Sequence, residues 1–151
     1  MTKRKRDFTK EELESWVLLW IADLGLCGWT IRMDYPKQDD DTDMRINWTE
    51  DRCIAVLSVF PRVFNQSRAR AWHCICHEML HMAFAPMDDV IVSYIGVARV
   101  FDQYRDASER CIDRLAGCLC QLIPTPGHGI PQGRRVAFTK DLRGMLAPPK
   151  D

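Results

Sequence analysis

No stretch of this sequence reaches the roughly 18 continuous apolar residues that a membrane span requires. Its basic start, Lys3-Arg4-Lys5-Arg6, runs into Asp7-Phe8-Thr9-Lys10-Glu11-Glu12 rather than into the apolar core of a signal peptide. Both absences lead to the expectation of a protein kept in the cytoplasm and free of the membrane. Charge of one sign is also missing: 21 basic and 21 acidic residues give a net charge of zero. No broad field therefore favours nucleic acid or an anionic surface. The local runs Lys3 to Arg6, Asp39-Asp40-Asp41-Thr42-Asp43 and Arg134-Arg135 read as solvated tails and loops, and no nucleic-acid motif accompanies them. The cysteines, at 27, 53, 74, 76, 111, 118 and 120, are odd in number, lie mostly in apolar surroundings and nowhere form a CxxC pair. They read as reduced, buried thiols, which argues against a disulfide framework or a zinc ribbon.

What is present suffices for one domain with a core of its own, since 46% of the 151 residues are hydrophobic and 28% charged. Thr9-Lys10-Glu11-Glu12 is a capping box, and Leu13, Trp16, Val17, Trp20, Ile21 and Leu24 follow at helical spacing until Gly25, predicting a helix over 9–25. Trp29, Ile31, Met33 and Tyr35 alternate with polar residues, the period of a half-buried strand. Met44, Ile46 and Trp48 repeat the alternation, Thr49-Glu50-Asp51-Arg52 offers a turn, and Cys53 to Phe60 is nearly all apolar, so a hairpin is the simplest reading. Ser67 is placed to cap a helix over 68 to about 84, with Ala69, Trp72, Cys76, Leu80 and Ala83 on its recurring faces and Pro86 as its stop. A last helical stretch is expected from about Val90 to Leu122, with a break near Gly96. Beyond Pro124 the Pro- and Gly-rich end shows little periodicity and reads as a loosely structured tail. The expected organisation is thus a flexible basic N-terminus at 1–8, one α+β domain over 9–123 and a tail over 124–151.

Within the second helix stands His77-Glu78-Met79-Leu80-His81. One helical turn separates the two histidines, so both imidazoles can reach one metal at ~2.0 to 2.1 Å. Glu78 points about 100° away around the axis, where a general base beside a metal-bound water belongs. A catalytic zinc normally takes a third protein ligand. His73 lies on the same face but about 12 Å from His81 along the axis, too far to share an ion, and Cys74 and Cys76 read as core thiols. Gly at 84 and His at 87 would mark a metzincin; the chain has Phe84 and Met87. Downstream remain one glutamate, Glu109, in the last helix, and one histidine, His128, in the tail. A ligand on a rigid helix is better preorganised than one on a Gly-Pro loop, which favours Glu109. The alternatives are an exposed glutamate paired with an arginine, and a His128 that closes the site as a fourth ligand. Tyr94 or Tyr104 can supply a donor to a developing oxyanion, and Asp106 or Asp113 can orient a ligand.

LGLCGWTIRMDY entering the first strand, HEMLHMAFAPMDD around the motif and ERCIDRLAGCL in the last helix together resemble the small gluzincin-like metallopeptidases, or minigluzincins, of the short type encoded by phages and prophages. The resemblance covers most of residues 9–123, and HEMLH is its specific part. It implies a zincin-like fold in which a three-stranded sheet lies over the active-site helix. It also implies a zinc site of His77, His81 and Glu109 with Glu78 as base, hydrolysis of a peptide or protein substrate, and a host-cytoplasmic setting if the chain is phage-encoded. A zinc-containing binding or inhibitor protein of the same fold, without catalysis, is the competing expectation.

Overall fold

The computed structural model describes residues 7–38, 41–49, 53–94 and 98–127. Helix α1 spans Lys10–Asp23. Its capping box forms as the residues dictate: the Glu12 amide donates to the Thr9 hydroxyl at 3.2 Å, and the Thr9 amide donates to the Glu12 carboxylate at 3.0 Å. Gly25, at φ +68°, turns the chain out of the helix in the left-handed region that glycine enters without strain. Leu13, Trp16, Val17, Leu18, Leu19, Trp20 and Ile21 are all buried, so α1 is enclosed on more than one face.

Strands β1 (Thr30–Asp34), β2 (Met44–Thr49) and β3 (Ile54–Val59) form a mixed sheet in the order β1-β3-β2. The expected hairpin is present: β2 and β3 pair antiparallel, with Met44 opposite Val59 and Thr49 opposite Ile54. Its turn, residues 50–52, lies outside the described residues. β1 pairs parallel with β3, Thr30 opposite Ile54 through Asp34 opposite Ser58. That order leaves β2 as an edge strand, and this edge faces the motif. A short 3-10 helix over Pro61–Asn65 then leads to α2.

Helix α2 runs from Arg68 to Tyr94, capped by the Ser67 hydroxyl, which accepts from the Arg70 amide at 3.2 Å. Two expectations fail here. Pro86 does not stop the helix but sits inside it. A mid-helix proline costs about 3 kcal/mol in a lost hydrogen bond and a clash with the preceding turn. The cost is met because both flanking turns are held from outside the helix: Ala85 is fully buried, and Asp88 accepts a hydrogen bond from Tyr104 on the next helix. Residues 90–94, expected to open the last helix, accordingly close α2. The buried face also differs from the expected one. Ala69 and Ala83 are exposed, while Ile75, Met79 and Met82 join Trp72, Cys76 and Leu80 in the core. Helix α3 spans Ala98–Leu122 and packs along α2 through Ile112 and Ala116. The expected break near Gly96 lies outside the described residues, as do His128 and most of the tail.

The aromatic part of the core gathers where α1 meets the start of α2. Trp72 lies 4.7 Å from Trp20 and 6.1 Å from Trp16 between ring centroids, and Phe8 joins at 5.2 Å from Trp16. The Trp72 indole donates to the Ile123 carbonyl at 2.9 Å, tying the end of α3 to this cluster. Arg68 ties in the chain on either side: it pairs with Glu12 at 3.0 Å and donates to the carbonyls of Asp7, Pro126 and Gly127. No helix among the described residues is long and apolar enough to cross a membrane.

Candidate metal centre and its cleft

His77 and His81 stand on the side of α2 that meets α3, one turn apart, and Glu109 projects from α3 toward both. Their nearest atoms are 3.1 Å apart between the two Nε2 atoms, 3.3 Å from His77 Nε2 to Glu109 Oε2 and 3.5 Å from His81 Nε2 to Glu109 Oε1. Donor atoms of all three residues lie within 4.8 Å of one another, a group able to hold a metal ion. Two ligand atoms each ~2.0 to 2.1 Å from a tetrahedral centre are about 3.3 Å apart, close to the separations seen. Two imidazole nitrogens and a carboxylate are also a donor set that a borderline-soft divalent ion accepts. The residues fit a metal.

The other candidates sort by position. His73 does not join the group; it faces Asp113 at 3.8 Å, and burial holds its pKa below the ordinary histidine range, partly offset by the Asp113 charge. Cys74 and Cys76 are buried in the core, and burial pushes the Cys74 thiol up to about 12, an inert thiol. Asp113 lies one turn beyond Glu109 and approaches the far ring nitrogen of His77, Nδ1, at 3.7 Å. A carboxylate on that side of the ring can orient the imidazole through its charge, although 3.7 Å is longer than a hydrogen bond. Asp106 is exposed and does not line the cleft. Of the tyrosines, Tyr104 lines the cleft and donates to Asp88, whereas Tyr94 is 85% exposed and lies outside it.

Glu78 turns from the histidines toward the sheet. Its Oε2 accepts the Ile46 amide of edge strand β2 at 2.9 Å. Burial foremost, and the Glu109 charge in addition, push its pKa up to about 7, against the opposing effects of the Ile46 amide and Arg45. A carboxyl group poised near neutrality suits a proton acceptor at ordinary pH. His81 is shifted the other way: burial lowers its pKa, which favours the neutral, metal-ligating ring.

Sequence reasoning missed the Ile46 amide, Asp88 and the walls of the cleft. Every residue carries an amide, so no signal marks the one that will face Glu78; Asp88 acquires its role only because α2 continues through Pro86. The cleft above the group encloses about 510 Å³ between β2 and α3, with Trp48, Val92, Phe101 and Arg105 among its walls.

No protein-family model, curated protein or solved structure matches the chain. The class of protein is accordingly read from the site: an α+β chain with a two-histidine, one-glutamate group on two packed helices, opening into a cleft beside a sheet edge.

Proposed function

We propose that this chain is a zinc-dependent metallopeptidase of zincin-like architecture, related to the gluzincins. One observation carries the reading: His77, His81 and Glu109 converge at the base of a cleft, and Glu78, the residue after the first histidine, is turned aside and held by the edge strand. A second carboxyl group, oriented apart from the three ligand candidates and beside an open cleft, favours this reading over a binding protein with a structural metal.

His77, His81 and Glu109 would hold Zn²⁺, and Asp113 would steady the His77 ring. Bound zinc supplies Lewis acidity, making a water more acidic and polarising a peptide carbonyl. Glu78 keeps Oε2 on the Ile46 amide, leaving Oε1 to accept the proton of the attacking water and return it to the leaving amine. The Tyr104 hydroxyl, which rests on Asp88, can donate to the carbonyl oxygen as its charge grows once it swings from that partner. β2 is an edge strand beside the cleft, where an extended substrate can add to the sheet.

Glu78→Gln tests this directly. Zinc content by elemental mass spectrometry should stay near that of the parent, while cleavage of a denatured protein substrate falls by at least about 100-fold. Undiminished cleavage would overturn the proposal, and full zinc loading without hydrolysis by the parent protein would turn it toward a structural metal.

A further inference from the structure

Two cavities meet over the candidate metal centre, and they differ in kind. The larger, about 510 Å³, carries the apolar side chains of Trp48, Val92 and Phe101, with Arg45, Asp88 and Arg105 also on its walls. The smaller, about 280 Å³, is bounded by Asp43, Arg62, Arg70, His73 and Asp113. Thr42, Met44, His77 and Glu78 line both, so the two are ends of one groove that passes across the centre.

Val92 leaves 44% of its surface open, and Trp48 and Phe101 are half-buried. An apolar wall that folding leaves partly in water gains by being covered. Among the described residues the far end lacks such an apolar wall and is built on ion pairs. Asp43 is held between Arg62 at 3.0 Å and Arg70 at 3.5 Å, and Asp113 faces His73 at 3.8 Å. An apolar group placed there strips water from these charges and returns no hydrogen bond. A polar group replaces the water it displaces.

We infer that the groove selects an extended polypeptide segment by polarity, seating a bulky aliphatic or aromatic side chain between Trp48, Val92 and Phe101 on one side of the centre and polar side chains against Arg70 and His73 on the other. That the ligand is a polypeptide rests on the peptidase reading; the asymmetry of the groove does not.

The test uses fluorescein-labelled ten-residue peptides of Gly, Ser and Ala with one central Phe, Leu, Ser or Asp, titrated by anisotropy against the full-length, zinc-loaded Glu78→Gln protein. The Phe and Leu peptides should bind on the order of tenfold more tightly than the Ser and Asp peptides, the scale expected for burying one apolar side chain. Val92→Asp, at an exposed position that leaves the core intact, should erase the difference, and Phe101→Ala should reduce it. Equal affinity for all four peptides, undetectable binding included, overturns the inference, as does a preference that survives both substitutions. Hydrolysis of the same peptides by the parent protein separates the two readings. Selective binding without cleavage sinks the peptidase and keeps the groove; cleavage without selectivity does the reverse.

Discussion

Helix α2 is continuous, yet its two halves meet different surroundings. In the first half Trp72, Ile75, Cys76 and Met79 are at most 1% exposed, and Trp72 packs against the tryptophans of α1. In the second, Met87, Val90 and Tyr94 are 50%, 57% and 85% exposed. The changeover comes after Ala85, and His77 and His81 stand in the turns just before it. Helix α3 shows the same gradient in reverse: Ile112 and Ala116 are buried toward its end, while Glu109, half exposed, stands where the packing gives way to the cleft. Side chains so placed inherit rigidity from the core on one side and stay open to the cleft on the other.

That contrast is breakable at its strongest point. Trp72→Ala empties a core position and removes the indole bond to Ile123; it should destabilise the protein by about 3 to 5 kcal/mol, read from the urea midpoint. Asp113→Asn tests the changeover itself. It should weaken zinc binding by about 10- to 100-fold in a chelator competition while leaving the urea midpoint of the metal-free protein within about 0.5 kcal/mol of the parent, since Asp113 is 65% exposed. A large loss of metal-free stability would instead make Asp113 part of the core. The smallest effect belongs to the open end: Tyr94→Ser should alter stability by no more than about 0.5 kcal/mol. A greater loss would mean that this end of α2 is covered in solution.

Much of the site was legible because it is local. Thr9 with Glu12, Ser67 with Arg70 and His77 with His81 are partners three or four residues apart, and one helical turn brings each pair together whatever the rest of the chain does. Glu109 was reachable by comparison with His128, because a rigid helix is the better platform for a ligand. Pro86 misled for the same reason that the local pairs succeeded. The local rule is to stop at proline, and it was overruled by Ala85 in the core and Asp88 under Tyr104. The parallel pairing of β1 with β3 was likewise invisible, since alternation marks a strand and not its neighbour.

By itself, then, the sequence determined the helices, the hairpin and the residues able to hold a metal, because turn geometry and side-chain period act over a few residues. Only the tertiary structure decided that Glu109 should reach across 28 residues to His81, that Asp113 should stand behind His77, and that the Ile46 amide should hold Glu78. Those contacts join separate elements, and they exist because burying the apolar faces of α2, α3 and the sheet together leaves their polar residues facing one cleft.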